Sequence, residues 1–288
     1  MYIYSQGSTH NRLSISNCQF INNDANRGSG GAIYESISGG NINSSGIIHC
    51  QFIDNTAGWG RGGAIYESLS AGNISSSALI HCQFTNNNTA QGGGGAIYKS
   101  ISTWYGNINS SVLIHCQFIS NTAQQGSGGA ICELISTWYG NINSSVLIHC
   151  LFINNTAQQG SGGAIYESIA ERNNYVITPG ILVQCQFVNN LAGISGEVVY
   201  KTGNNARLSI DQNLCDSNTA SAFGGAIYHS GTNSSVDVTN TNFTSNTAVT
   251  EGGGAIYSNG RYANVTLTSS TFHNNSASYC SVLDVDNF

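Results

Sequence analysis

Apolar and polar residues alternate in short bursts along the whole chain, and each burst is cut off by a turn signal. In Ile48-His49-Cys50-Gln51-Phe52 and Val265-Thr266-Leu267-Thr268-Ser269 the alternation has period two, which sends successive side chains to opposite faces of a strand. By that count Ile48, Cys50 and Phe52 share the core face, and His49 and Gln51 the other. The split recurs at Ile80/Cys82/Phe84 and Ile114/Cys116/Phe118. Asn-Thr-Ala and a Gly-rich run then break the strand, and Gly-Gly-Ala-Ile-Tyr supplies a second short apolar stretch. No segment sustains apolar residues at i, i+3 and i+4 beyond one turn, so helix templates fail throughout.

Two motifs recur at a period of 28 to 35 residues. Phe-x-x-Asn occurs in eight clean copies, from Phe20/Asn23 to Phe272/Asn275 and including Phe52/Asn55, Phe84/Asn87 and Phe118/Asn121, with a degenerate ninth at Cys215/Asn218. Between them fall Gly-Gly-Ala-Ile-Tyr copies, among them those led by Gly62-Gly63 and Gly94-Gly95, and the variants led by Gly128-Gly129 and Gly196. Such self-similarity means that each unit is one structural turn burying its apolar face against its neighbours. The expected fold is all-β: a right-handed, single-stranded parallel β-helix of about nine coils forming one domain over residues 1–288, its hand following from the preference of parallel crossovers. At roughly 4.8 Å per coil the rod is about 40 Å long, and every repeat position becomes a ladder. The Asn of Phe-x-x-Asn suits a turn, with an amide that bonds neighbouring backbone, tolerates left-handed geometry and stacks into a ladder. The Gly pair suits a sharp corner or a close approach of coils.

Composition narrows the function. Charged residues make up 8% of the chain and the formal net charge is −6, so no basic stripe exists to neutralise phosphates and nucleic acid is not an expected partner. The longest apolar runs are too short for a spanning helix, and Met1-Tyr2-Ile3-Tyr4-Ser5 is no signal peptide. Met1 falls inside a strand of the Gly-Gly-Ala-Ile-Tyr type, and Cys280 to Asp284 is a worn copy of the same strand. With no polar cap at either end, the chain is expected to be a fragment of a longer surface protein, associated with a membrane only through segments outside it.

Six of the nine cysteines (Cys18, Cys50, Cys82, Cys116, Cys150 and Cys185) occupy one repeat position, two residues before Phe. Side chains pointing the same way on neighbouring strands suit a bridge poorly, so they read as a stack of buried thiols. Cys132, Cys215 and Cys280 replace a Tyr, a Phe and a Gly of the repeat, and no C-x-x-C is present.

The alternation of Phe-x-x-Asn with Gly-Gly-Ala-Ile resembles the repeats of the polymorphic outer-membrane protein family, found in chlamydial autotransporter adhesins and in surface proteins of protists such as trichomonads. The resemblance covers the chain from about residue 13 to 284. It implies that Phe52 to Asn55, Gly62 to Ile65 and their counterparts belong to a non-catalytic, adhesin-type stalk. That stalk would lie outside the cell or on its surface (the outer membrane, in a bacterium) and engage a host-cell protein or glycan. The family's barrel and secretion signal are not in this chain.

Four other features bear on function. His49, His81, His115 and His149 line one outward column, but no carboxylate or thiol joins them and Gln184 follows, so the reading assigns no metal. Glu35, Glu67, Lys99, Glu133, Glu167, Lys201 and His229 form another column, most simply a solvated stripe. Trp104-Tyr105 and Trp138-Tyr139 sit at the same place in adjacent units and are the candidate interaction surface, amphipathic rings able to stack on a sugar or a partner protein. Ten Asn-x-Ser/Thr triplets (Asn43, Asn73, Asn87, Asn109, Asn143, Asn154, Asn233, Asn242, Asn264 and Asn274) would be glycan acceptors in a eukaryotic secretory pathway.

A polysaccharide lyase or hydrolase of pectin-lyase-like fold is the alternative, and a purely structural spacer is the second. Such an enzyme needs convergent carboxylates on neighbouring coils. The repeat is broken mainly between Glu171 and Cys215, which makes Asp211 and Asp216 the first places to look. No catalytic residue and no cofactor are expected.

Overall fold

The computed structural model describes residues 1–7, 14–43, 45–171 and 176–286, with the side chain of Glu171 left aside. Within them every strand pairing is parallel and joins one repeat to the next, so the chain winds as a β-solenoid.

One coil shows how the sequence closes the turn. Gln51–Ile53 is a short strand that places Phe52 inside, and Asp54 then takes left-handed geometry, φ 55°, and turns the chain. Asn55 points inward past that corner, and Thr56–Ala57 forms the next strand. A Gly-rich excursion ends at Gly62, φ 68°, from which Ile65–Ser70 runs as the longest strand of this coil. Ile74–Ser75 and Ala78–Ile80 complete the circuit before His81, φ 52°, turns the chain into the next Phe strand.

Stacking these pieces produces a ten-stranded sheet containing Ile65–Ser70, three nine-stranded sheets and a four-stranded sheet containing Ile74–Ser75. Register is kept residue for residue, as in Phe52↔Phe84↔Phe118. Phe rings stack at 4.7 to 4.9 Å from Phe20 to Phe187, Cys215 interrupts the stack, and Phe243 and Phe272 resume it at 5.0 Å.

The expected role of the Phe-x-x-Asn amide holds, with one correction. The left-handed residue is the one before Asn (Asp54, Asn86, Ser120), whereas Asn55, Asn87 and Asn121 are fully buried and keep ordinary backbone. Each amide donates to the next, Asn55 to Asn87 at 2.9 Å and Asn87 to Asn121 at 2.9 Å, and also to a carbonyl of the preceding coil. This satisfies buried backbone that the corner would otherwise orphan. The second Gly of each pair marks close coil approach: a Cβ on Gly63 would lie 2.1 Å from the Gly95 carbonyl oxygen, and one on Gly95 2.0 Å from that of Gly129.

The inward set before Phe is also shifted by one. Ile47, Leu79 and Leu113 are buried, and Ile48, Ile80 and Ile114 are only half-buried. The left-handed turn at His49, His81 and His115 resets the phase of the alternation, so strict counting back from Cys50 selects the wrong neighbour. The cysteine column meets expectation: Cys50, Cys82, Cys116, Cys150 and Cys185 are buried and all nine thiols are free. Several donate to a carbonyl of the preceding coil, as Cys82 does to Ile47 at 3.2 Å.

The repeat length sets the width of the rod. From Phe20 to Phe187 successive repeats are 32 to 35 residues apart, and their extra residues build a second apolar core from Ile37, Ile42, Leu69, Ile74, Ile101 and their counterparts. Beyond Phe187 the spacing falls to 28 or 29 residues. There Ala206 alone joins that core.

Candidate interaction surface

The strands Ile97–Tyr105 and Ile131–Tyr139 are nine residues long, three longer than Ile65–Ser70, because each continues into a Trp-Tyr pair. Thr103 and Thr137 point inward and are buried, and Thr103 Oγ1 anchors the extension by donating to the Gly72 carbonyl at 2.9 Å. Alternation then sends Trp104 outward, 63% exposed, and Gly106, φ 146°, ends the strand beside Tyr105, 70% exposed. Trp104 stacks on Trp138 at 4.8 Å and 4°, and Tyr105 on Tyr139 at 5.1 Å and 6°. The four predicted residues therefore come together as one ledge.

Ring faces within each pair cover one another, so the ledge presents ring edges along its length. The preceding coil carries only Ala71 and Gly72 at this level, which leaves the other face of Trp104 as an open platform. An edge row with one open face can take apolar or aliphatic C–H groups by contact and polar groups at the Tyr hydroxyls and the indole N–H.

The histidine column is exposed as expected. Its rings stack at 4.7 to 4.9 Å, and each residue occupies the left-handed corner, so its position is explained by the turn. Among the described residues no three His, Cys, Asp or Glu side chains gather as a metal site. Asp211 and Asp216 lie on either side of the Gln212 corner. Asp211 accepts from Gln212 and Asn240 at 3.2 Å, and Asp216 accepts from Ser217 at 3.2 Å. Of the ten glycan-acceptor asparagines, Asn87 is fully buried in the Asn ladder and is closed to a glycan, while the other nine are exposed.

The acid-leaning column is overturned as a solvated stripe. Glu35, Glu67, Lys99, Glu133, Glu167, Lys201 and His229 are all buried, in the belt between the main core and the second one. Lys99 pairs with Glu67 at 3.3 Å and Lys201 with Glu167 at 2.6 Å. Serines from the opposite wall complete the belt: Ser77 donates to Glu67 at 2.9 Å and Lys99 to Ser111 at 2.6 Å. Burial and nearby Lys201 hold the His229 imidazole down to about 3, hence neutral. Glu197, at the second Gly position of its repeat, has both carboxyl oxygens buried without partners, and burial raises its carboxyl well above the usual range. The column was readable in Ile65-Tyr66-Glu67-Ser68-Leu69, where strict alternation puts Glu67 on the same side as Ile65 and Leu69.

No curated protein and no solved structure matches the chain. A family model described as the Chlamydia polymorphic membrane protein repeat matches three segments, residues 82–100, 149–166 and 240–259. Each runs through one Phe-x-x-Asn corner (Phe84/Asn87, Phe152/Asn155, Phe243/Asn246) to the following Gly-Gly-Ala-Ile-Tyr strand. The ring stack, the amide ladder and the glycine corner described above are thus the physical content of the matched pattern, and these three segments are similar to the Chlamydia polymorphic membrane protein repeat.

Proposed function

We propose that this chain is a non-catalytic, surface-displayed rod of adhesin type, whose aromatic ledge at Trp104, Tyr105, Trp138 and Tyr139 is a point of contact with a host-cell glycan or protein. The observation that carries the reading is the ledge itself: two coils extend their longest strands into Trp-Tyr pairs, of which Trp104, Tyr105 and Tyr139 are exposed and Trp138 half-buried. Rings stacked on a rigid sheet are already ordered, so a partner immobilises little on binding them. The repeat type supports a place at the cell surface. In a secretory pathway that glycosylates, the nine exposed Asn-x-Ser/Thr triplets would carry the glycans.

The test is a screen of the folded chain against a glycan array and intact host-type cells, with polygalacturonate turnover followed in the same samples. Saturable binding without turnover supports the reading. Turnover lost on Asp211→Ala or Asp216→Ala would replace it with the pectin-lyase-like alternative, and silence throughout would leave a spacer.

A further inference from the structure

Glu133 and Glu167 are register partners on neighbouring strands, which brings two carboxyls to the same level of the interior one coil apart. The two lysines nearby are engaged by other partners: Lys99 bridges to Glu67, and Lys201 to Oε2 of Glu167. Glu133 has no ammonium within ion-pair distance among the described residues. It is held by the hydroxyls of Ser111, at 3.3 Å, and Ser145. Three carboxylates thus face two ammoniums where solvent does not reach, and an uncompensated buried charge is strongly disfavoured.

The other side of the pair is incomplete. Oε1 of Glu167 is buried without a hydrogen-bond partner. The reason lies in the serine ladder. Val112, Val146 and Ile181 stand in register, so Ser111, Ser145 and Gly180 occupy one repeat position, and the third coil lacks the hydroxyl that the first two supply. A cavity of about 30 Å³ borders this position, and Lys99, Ser111, Glu133, Ser145, Glu167 and Gly180 share its wall with apolar side chains that include Ile131, Ile165 and Leu208. That is room for a water molecule, with the two to four polar partners a buried water needs.

We propose that the space between Glu133 and Glu167 is a binding site for one water molecule and one proton, the water standing in for the hydroxyl absent at Gly180 and the proton residing on Glu133. The water donates to Oε1 of Glu167, and the proton removes the surplus charge. Glu35 and Glu67 lie on one side along the belt, and Lys201 and neutral His229 on the other. Burial, and after it the neighbouring Glu167, push the Glu133 carboxyl upward against the pull of Lys99. A carboxyl raised in the folded chain contributes stability that is complete below its unfolded value, about 4.3, and is lost as pH rises through its folded value.

The experiment follows thermal unfolding of the whole chain between pH 5 and 9. The midpoint of the parent falls with rising pH, and Glu133→Gln, which keeps the shape without the titration, reduces that slope by the equivalent of one proton. In ¹³C-Glu-labelled protein at pH 7, the carboxyl signal that Glu133→Gln removes has the shift of a protonated acid. Gly180→Ser restores the hydroxyl and raises the midpoint, since a Cβ there meets only the flexible end of Lys201 at 3.1 Å and looser contacts beyond. An unchanged pH slope in Glu133→Gln, or an ionised signal at pH 7, overturns the proposal. A midpoint higher in sodium chloride than in choline chloride at equal ionic strength overturns it in favour of a bound cation.

Discussion

Lys99 reaches inside the rod to Glu67 of the preceding coil at 3.3 Å, with both side chains sealed from solvent. The pair bridges two register positions, Glu67↔Lys99, between the inward apolar pairs Ile65↔Ile97 and Leu69↔Ile101 of the same sheet. Removing one partner leaves a buried charge alone, so Lys99→Met is expected to destabilise the chain by about 3–5 kcal/mol in denaturant unfolding. The double variant Glu67→Leu/Lys99→Met recovers at least half of that loss. A loss under about 1 kcal/mol in the single variant would mean a solvated pair.

The Asn ladder is expected to hold its coils together cooperatively. Asn121 makes four hydrogen bonds through its amide: it donates to the Phe84 carbonyl and Asn155, and it accepts from the backbone N–H and the amide of Asn87. Asn121→Ala orphans these buried groups and should cost about 3 kcal/mol or more. Hydrogen exchange should accelerate first at the flanking corners. Gln117→Ala, exposed on the strand Gln117–Ile119 that leads into the corner, should stay within about 0.5 kcal/mol.

Two glycines separate packing from propensity. Gly95→Ala would drive a Cβ to 2.0 Å from the Gly129 carbonyl oxygen and 2.5 Å from the Thr122 nitrogen, both backbone atoms, so the folded chain should be lost or its coil spacing broken. Gly46→Ala meets nothing nearer than Ile48 Cδ1 at 4.0 Å and should be neutral or stabilising by up to about 1 kcal/mol. Circular dichroism and the unfolding midpoint of each variant decide the matter.

Thiol reactivity should follow the column. Hydrogen bonding to Cys150 and burial push the Cys116 thiol up to about 12, and burial, against the pull of Arg61, does the same for Cys132. Thiolate at these sites therefore stays negligible between pH 7 and 9. Alkylation of the native chain at pH 8 should label exposed Cys280 first and half-buried Cys18 more slowly. Mass spectrometry should find the remaining seven modified only after denaturation.

The architecture was legible because a solenoid repeats its constraints: Phe52, Asn55 and Gly63 each recur wherever the same corner, ladder or close approach recurs. What the pattern concealed was phase. Left-handed residues such as His49 and Asp54 reset the alternation, so Ile47 and not Ile48 enters the core, and that conformation is not written in residue types that include His, Asp, Asn and Ser. The buried Glu/Lys belt was hidden for a different reason. Glu67 is an inward residue by alternation, and only its partners Lys99, Ser76 and Ser77, brought together by the winding, make its burial tolerable. The Trp-Tyr ledge was visible as a sequence pair, but the stacking that leaves one open face on Trp104 belongs to the register.

The most direct measurement compares saturation binding of the parent chain and Trp104→Ala/Trp138→Ala to the same cells and glycans. A loss of at least about tenfold in affinity is expected, with the unfolding midpoint held within a few degrees because neither ring belongs to the buried core. Equal binding by both proteins, or no saturable binding by the parent, would contradict it.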